Sequence, residues 1–258
     1  GAYLDLGYVP EDQSGSSVSK TLEYAYDDWC IAQMATVFKQ DSVAQLYNKR
    51  AQNFQNVFDV QSGFMRPRLS NGNFKTPFDP LDTHGQGFIE GNAWNYSFYV
   101  PQAPHNLIEQ MGGEARFVAH LDSLFTMSLP DRYFANTEDI MRSGIIGNYV
   151  HGNEPSHHIP YFYNFTTQPW RTQAATRMIL REQYSLNSEG MGGNDDCGQM
   201  SAWYLFSALG LYPFAPGSAN YALTAPLVKE ATIQLDGQHI LQIVTENNSD
   251  QNVYIQSA

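Results

Sequence analysis

The segment that most constrains the fold is a helix-length run that is apolar on nearly every side. Residues 197–210 read CGQMSAWYLFSALG and include no charged side chain. A surface helix keeps a polar face toward water, so a helix that is apolar all round is expected to be buried on every side. Such burial is typical of an inner helix of a helical barrel, and a chain of 258 residues is long enough to supply the surrounding core.

Helical spacing of apolar residues recurs over most of the preceding chain. Val18, Leu22 and Ala25 mark the face of a first predicted helix, and Ser17 or Ser19 is its expected N-cap. A second helix follows after a short polar link, and two helices joined in this way predict an αα-hairpin. The apolar face of that second helix is predicted to contain Val43, Leu46, Arg50, Phe54 and Val57.

The periodicity changes toward the C-terminal end. Further helical patterns cover residues 93–111, 114–127 and 168–184. After Pro213 apolar and polar residues alternate, which predicts short strands at HILQIV and NVYIQ. The sequence therefore predicts a mainly α-helical domain over residues 1–213 and the start of a β segment over residues 214–258. Because neither end reads as a natural domain boundary, we expect a piece of a longer protein, truncated at both ends.

The balance of charge excludes some partners. Acidic residues outnumber Lys and Arg by 26 to 14, which gives a formal net charge of −12. Nucleic-acid binding depends on clustered cationic side chains that displace counterions from phosphates, and anionic membrane surfaces attract the same clusters. No apolar run approaches the ~20 residues that cross a bilayer. We therefore expect no nucleic-acid partner and no membrane span.

Glu90 is the first candidate for chemistry. It lies in FIEGNAWNY, at the end of a segment over residues 61–92 that is rich in Gly, Pro, Asn and Asp and too long for a simple connector. A carboxyl beside Phe88, Trp94 and Tyr96 would be partly desolvated, and desolvation raises a carboxyl pKa toward the range of a general acid. The structural alternative is a first-turn glutamate that stabilises a helix N-terminus.

A second cluster, HGNEPSHH, occupies residues 151–158 and is followed by two tyrosines. It contains Asn153, Glu154, His157 and His158. Amide, carboxylate and neutral imidazole groups suit sugar hydroxyls, which both donate and accept hydrogen bonds. The spacing differs from the HExxH pattern of zinc proteases. Zinc binding and a purely structural polar network are the two alternatives.

A third cluster, EGMGGNDDCG, places Asp195 and Asp196 on a glycine-rich turn directly before the apolar helix. Backbone N–H groups and the helix dipole hold carboxylates rigidly at such a position. Capping requires only one acid, so two adjacent acids favour a catalytic role for at least one of them. A fourth acidic group in LEYAYDDWC is interpreted as a solvated or ion-pairing helix face. Its members are Glu23, Asp27 and Asp28.

Four stretches together resemble glycoside hydrolase family 92, the calcium-dependent α-mannosidases. They are SKTLEYAYDDW, FIEGNAWNY, HGNEPSHHIPYFYN with QPWRTQ, and GMGGNDDCGQMSAWYLFSALGLYP, and they follow the order of the family. The match covers most of residues 17–216. The resemblance implies that this chain is part of an (α/α)6 toroid with a short C-terminal β segment. It also implies an N-terminal β-rich domain of the same protein, absent from this chain, that packs on the toroid and helps to complete the active site.

The resemblance further implies the activity. Family members hydrolyse α-linked mannosides of glycans with inversion, and α-1,2 linkages are one candidate for an exo-acting enzyme here. In an inverting glycosidase one carboxylic acid protonates the leaving oxygen and a second carboxylate, roughly 6.5–9.5 Å away, activates water. Glu90 is assigned as the acid and Asp196 as the base, with Asp195 as its partner or as the base itself. The side chains expected to hold the sugar are Trp94, Asn153, His157 and His158.

Calcium is the cofactor that the resemblance implies, bound to two hydroxyls of the mannose. Ca²⁺ prefers hard oxygen ligands, and Glu154 and Glu189 are the carboxylates of the matched loops assigned to it. The resemblance also implies a bacterial protein that is secreted, periplasmic or on the cell surface. Three alternatives stay open: a polysaccharide lyase on a helical toroid, a non-catalytic carbohydrate-binding module, and a fragment that is inactive by itself.

Overall fold

The computed structural model of the chain describes residues 1–133 and 144–258 and is mainly α-helical, as predicted. Its internal contacts divide it into two compact units, Gly1–Ser156 and His157–Ala258. Each unit has its own buried apolar side chains. The predicted domain boundary at residue 213 stays a prediction.

The first unit is built from short and medium helices with two small strand pairs. Its described helices are α1 (Ala2–Leu6), α2 (Ser17–Val37), α3 (Asp41–Arg50), α4 (Ala93–Tyr96), α5 (Pro104–Gln110) and α6 (Glu114–Thr126). Its antiparallel strand pairs are β1 (Phe58–Asp59) with β2 (Phe64–Met65), and β3 (Ile145–Ile146) with β4 (Tyr149–Val150). The long segment after β2 is largely irregular, in agreement with its glycine- and proline-rich composition.

Helices α2 and α3 form the predicted αα-hairpin. An ion pair joins them, because Nη2 of Arg50 lies 2.8 Å from Oδ1 of the buried Asp28. The hydroxyl of Tyr3 donates to the other oxygen of Asp28 at 2.8 Å. The ion-pairing interpretation of this acidic group is therefore confirmed for Asp28.

The predicted N-caps of α2 are wrong. The helix begins at Ser17, but no side-chain hydrogen bond caps it. The hydroxyl of Ser17 donates to Glu11 at 2.7 Å, and the hydroxyl of Ser19 accepts from the backbone N–H of Ile89 at 3.0 Å. Both serines therefore bind neighbouring segments, and Ser19 connects the start of α2 to the loop that carries Glu90.

Two predicted helical features differ from the structure for identifiable reasons. On α3 the predicted core residue Leu46 is 54% exposed, and Ala44 is the buried residue of that helix. The helix predicted over residues 93–111 is divided into α4 and α5. Pro104 begins α5, since proline lacks the N–H that a helix interior requires but suits the first turn.

The second unit contains two long helices followed by short strands. Its described elements are α7 (Trp170–Glu182), α8 (Gln199–Leu209), β5 (Leu211–Tyr212), β6 (Ala222–Leu223), β7 (Glu230–Gln234) and β8 (Ile240–Val244). The strands pair in antiparallel fashion, β5 with β6 and β7 with β8. The predicted HILQIV strand is confirmed as β8, whereas the structure assigns no strand to the predicted NVYIQ segment.

Helix α8 is the apolar run, and it is buried on one side only. Met200 and Trp203 are fully buried, but Leu205 is 60% exposed. The buried side packs on aromatic rings, with Tyr184 stacked on Trp203 at a centroid distance of 6.1 Å. The expectation of burial on every side is therefore wrong for this chain, because its described residues cover only the Met200–Trp203 face.

Candidate active site

Glu90 lies at the entrance of α4 on a turn that glycine makes possible. Gly91 has a φ of +62°, and a Cβ at this position would lie 2.9 Å from Oδ1 of Asn95. Both conditions favour glycine. Asn92 is the N-cap of α4, because its side chain accepts from the backbone N–H of Trp94 at 3.1 Å. The capping role considered for Glu90 therefore belongs to Asn92.

The Glu90 side chain is half-buried beside a tyrosine hydroxyl. The hydroxyl of Tyr96 lies 3.4 Å from Oε1 of Glu90, in position to donate to it. Burial raises the pKa of Tyr96, and the negative potential of Glu90 and Glu23 raises it further. Tyr96 is thus a protonated donor at any physiological pH.

Glu23 on α2 is the residue of this site that sequence reasoning missed. Burial raises the pKa of Glu23 to about 7; a hydrogen bond with Tyr99 opposes that rise, and the charges of Asp27 and Glu90 add to it. The sequence interpretation placed Glu23 on a solvated or ion-pairing face. A single sequence holds no signal for this position, because only the folded chain brings the loop of Glu90 to α2, where Ile89 binds Ser19 one turn before Glu23.

The indole of Trp94 is half-buried and packs against two other rings. Its ring lies against His120, with centroids 4.2 Å apart, and against Phe64 at 5.0 Å. Burial lowers the pKa of His120 to about 4, with a smaller contribution from Arg116, so the imidazole is neutral near pH 7. This position suits Trp94 to the predicted role of a platform for a sugar face.

Buried asparagines connect the Glu90 turn to the second cluster. Asn92 donates to Oδ1 of Asn148 at 3.2 Å, and Asn95 donates to the backbone carbonyl of Asn148 at 2.6 Å. Helix α4 also packs against the 3-10 turn Glu154–Ser156. The first unit therefore brings the Glu90 turn together with Glu154 and with Asn153, which is buried next to it.

His157 and His158 begin the second unit, and both are buried. The indole N–H of Trp203 donates to the backbone carbonyl of His157 at 2.9 Å. Nε2 of Gln199 lies 3.2 Å from the ring nitrogen Nδ1 of the same histidine. Helix α8 therefore fixes both the backbone and the imidazole of His157.

The two adjacent aspartates have different environments. Both oxygens of Asp195 bind Ser201 in the first turn of α8: Oδ1 accepts from the backbone N–H at 2.8 Å and Oδ2 from the hydroxyl at 2.7 Å. These hydrogen bonds hold the pKa of Asp195 below its usual value. Asp196 is exposed and follows in a tight turn completed by Cys197, with a φ of +53°. Asp195 is thus bound to the first turn of α8, whose N-cap residue is Gly198.

The predicted carboxylate pair is divided between the two units. Glu90 belongs to the first unit, and Asp195 and Asp196 belong to the second. Their separation stays a prediction.

The predicted metal ligands do not form a site by themselves. Over residues 1–133 and 144–258 no group of three His, Cys, Asp or Glu side chains is arranged to hold a metal ion. Glu189 is exposed in the second unit, and Glu154 is half-buried in the first. The assignment of Glu154 and Glu189 to calcium therefore stays a prediction. Among the same residues, no helix has the length and apolarity needed to cross a bilayer.

A family model and a curated relative both relate this chain to glycosidases. Residues 1–258 match the family model of the glycosyl hydrolase family 92 catalytic domain. Among curated proteins, an uncharacterized secreted glycosidase of Arthroderma benhamiae is 27% identical over 290 residues, which cover 100% of this chain and 35% of that protein.

Two solved enzymes of Bacteroides thetaiotaomicron are similar in structure. A family GH92 α-mannosidase in complex with mannoimidazole has a TM-score of 0.92 and 39% identity, covering 97% of this chain and 33% of that one. A family GH92 inverting mannosidase has a TM-score of 0.86 and 36% identity, covering 97% and 35%. The chain spans about a third of the length of these relatives. The predicted fold class, part of an (α/α)6 toroid with a short β segment, is confirmed.

Proposed function

The chain belongs to glycoside hydrolase family 92, and from this membership we propose that the full-length protein is an exo-acting α-mannosidase that inverts the anomeric configuration. The single observation that carries the proposal is the family match over all 258 residues. Two similar structures are described as mannosidases, one of them inverting and the other in complex with mannoimidazole. The proposed substrates are α-linked mannosides of glycans, with α-1,2 linkages as one candidate.

Glu90 is the proposed general acid. Its half-buried carboxyl on a glycine-supported turn suits a group that must hold a proton before the reaction and release it to the leaving oxygen. The hydroxyl of Tyr96 then stabilises the carboxylate that remains, since a donor to the charged form favours it.

Asp196 is the proposed general base. Inverting hydrolysis requires a carboxylate with an oxygen available to accept a proton from water. Both oxygens of Asp195 bind Ser201, whereas Asp196 is exposed on the adjacent turn. These environments favour Asp196 over Asp195, which we propose positions the turn.

The sugar-binding roles follow from polarity and support. Trp94 would face the apolar side of the mannose, since its half-buried indole is held by the rings of Phe64 and His120. Asn153, His157 and His158 would bind its hydroxyls. For His157 this role agrees with the contacts from α8 that hold its ring.

Calcium is proposed for the full-length protein, with Glu154 and Glu189 as ligands. When bound, Ca²⁺ would supply a positive charge next to the mannose hydroxyls. The support is the sequence resemblance, because the described residues do not gather enough ligands. No step above depends on the ion.

The proposed location and partner follow from the relatives. The Arthroderma benhamiae relative is described as a secreted glycosidase, which supports a secreted location. The proposal of a bacterial protein, in the periplasm or on the cell surface as alternatives, rests on the sequence resemblance alone. The relatives are about three times as long as the chain, which leaves room for the proposed N-terminal β-rich domain.

The experiment is hydrolysis of an α-mannobioside by the full-length protein, followed by proton NMR. The proposal predicts that β-mannose appears first and then mutarotates. First appearance of α-mannose would contradict inversion. No mannose release would refute the activity, and an unsaturated product from a uronate-containing polysaccharide in a parallel assay would indicate a lyase.

A further inference from the structure

Three buried asparagines lie next to the turn that carries Glu90, and helix capping explains only two of them. Asn92, Asn95 and Asn148 are each at most 3% exposed. A buried amide is tolerated where its donors and acceptors are bonded, so the partners of each amide indicate its role. Asn92 and Asn95 form the capping box of α4. Asn148 lies in the turn between β3 and β4 and is not part of that cap.

The side-chain amides of Asn92 and Asn148 face each other as a reciprocal pair. Nδ2 of Asn92 donates to Oδ1 of Asn148 at 3.2 Å, and Nδ2 of Asn148 donates to Oδ1 of Asn92 at 3.5 Å. Asn92 also donates to the backbone carbonyl of Leu81 at 3.3 Å. A planar group with both a donor and an acceptor is needed to complete such a pair. The pair therefore explains an amide at position 148.

A second hydrogen bond joins Asn148 to the other residue of the cap. Nδ2 of Asn95 donates to the backbone carbonyl of Asn148 at 2.6 Å, while Oδ1 of Asn95 accepts from the backbone N–H of Asn92 at 3.2 Å. The side chain of Asn148 thus binds the first residue of the cap, and its main chain binds the last. Two separate contacts from one residue fix the orientation of the turn as well as its distance.

Asn148 is itself fixed to helix α6. Its backbone N–H donates to the backbone carbonyl of Leu124 at 2.7 Å, and Leu124 belongs to the buried face of α6. The preceding residue, Gly147, has a φ of +65°, and a Cβ there would lie 2.6 Å from the same carbonyl oxygen. Both conditions favour glycine. Asn148 therefore connects the Glu90 turn to a helix that packs in the core.

Glu90 depends on this connection because the chain between it and the cap is permissive. Gly91 alone separates Glu90 from Asn92, and glycine adopts many backbone conformations at little cost. A general acid must lie within hydrogen-bonding reach of the proton acceptor, and a misplacement of about 1 Å can cost about 10²-fold in rate. The direction of the Glu90 carboxyl therefore follows from how firmly the cap of α4 is held.

We propose that Asn148 is a positioning residue for Glu90: its hydrogen bonds to Asn92 and Asn95 hold the first turn of α4 on α6, so that the carboxyl keeps the direction needed to protonate the leaving oxygen. The catalytic consequence rests on the proposed function. The hold of Asn148 on the turn is a property of the fold and does not depend on that function.

The test compares Asn148→Ala with the wild-type full-length protein on two substrates that differ in their need for the acid. On an α-mannobioside kcat should fall by about 10–100-fold, as expected for a displaced acid. On an aryl α-mannoside with a strongly acidic phenol, which departs without protonation, kcat should fall far less. In a Glu90→Gln background Asn148→Ala should cause no further loss on the mannobioside, because a residue that acts only through Glu90 then has nothing to position.

Asn56→Ala is the matched control. Asn56 lies in the same unit, is partly buried and donates to the backbone carbonyl of Gly7, the C-cap of α1, at 2.9 Å. Its replacement removes an equivalent hydrogen bond at a different helix, so it should leave the ratio of the two rates unchanged.

Asn95→Asp provides a second reading if Asn148→Ala fails to fold. It keeps the oxygen that accepts from the backbone of Asn92 and replaces only the donor to Asn148. It should change the ratio of the two rates in the same direction as Asn148→Ala.

Hydrogen exchange of the same proteins separates this inference from the proposed function. Peptides covering residues 88–96 should lose protection in Asn148→Ala and keep it in Asn56→Ala. If the wild-type protein releases no mannose, the proposed function fails, and the exchange measurement still decides whether Asn148 holds the turn. The positioning role is overturned if that protection is unchanged, if both substrates lose equally in kcat, or if Asn148→Ala causes its full loss again in the Glu90→Gln background.

Discussion

Replacing Trp203 by phenylalanine removes the donor that holds the backbone of His157. The indole N–H lies 2.9 Å from that carbonyl, and both residues are buried. A buried carbonyl left without its donor costs about 1–3 kcal/mol. The smaller ring adds about 1 kcal/mol for the space left in the core. The local free energy of opening around α8 should therefore fall by about 3 kcal/mol, which corresponds to about a hundredfold loss of protection.

Hydrogen exchange measured by mass spectrometry on the full-length protein reads this local quantity directly. Peptides covering α8 and residues 157–165 should lose about a hundredfold in protection, whereas peptides from α2 should not change. Leu205→Ala is the matched control on the same helix, since Leu205 is 60% exposed and its truncation should change protection little. Unchanged protection in Trp203→Phe would refute the argument that this hydrogen bond holds His157.

Three other predictions concern the proposed active site. Asp196→Asn should lower kcat by about 10²–10⁴-fold. Asp195→Asn should mainly increase hydrogen exchange at the start of α8. A large loss of kcat in Asp195→Asn but not in Asp196→Asn would make Asp195 the base. Trp94→Ala should raise KM for α-mannosides by about tenfold, as expected for a lost aromatic contact of about 1.5 kcal/mol. The control is Trp170→Ala, at an exposed tryptophan of the second unit, which should leave KM unchanged. Removal of calcium by a chelator should abolish mannose release and re-addition should restore it; full activity in the chelator would exclude the proposed cofactor.

Local rules predicted the elements that depend on neighbouring residues. The αα-hairpin of α2 and α3, helices α6 to α8 and the strand β8 follow from spacing and turn residues that lie within each segment. The same rules failed where contacts with distant segments determine which group a side chain binds. Ser17 and Ser19 have the chemistry of helix caps, but their hydroxyls bind Glu11 and the backbone of Ile89.

The faces of helices were harder to predict than the helices themselves. On α7 the apolar Trp170 is exposed, while Thr172 and Arg177 are buried. Both side chains donate to backbone carbonyls: Thr172 to Pro160 at 3.0 Å and Nη2 of Arg177 to Pro226 at 3.0 Å. A periodicity based on apolar residues cannot identify a buried face that includes hydrogen-bonded polar side chains.

Local spacing predicted the turns that carry the candidate site residues, whereas the roles of these residues stay predictions. The turn at residues 195–196 was identified, and its hydrogen bonds then separated Asp195, with both oxygens bound to Ser201, from the exposed Asp196. Glu23 and Asn148 were missed, because each acts on the Glu90 turn from a segment more than fifty residues away in sequence. Such long-range neighbours have no local pattern in a single sequence.

The dependence of Glu90→Gln on the leaving group tests the central claim most directly. A general acid is needed only when the departing oxygen must be protonated, so the variant should lose about 10²–10⁴-fold in kcat on an α-mannobioside. On an aryl α-mannoside with a strongly acidic phenol as the leaving group it should lose far less. Equal losses on both substrates, or no loss on either, would contradict the assignment of Glu90 as the acid.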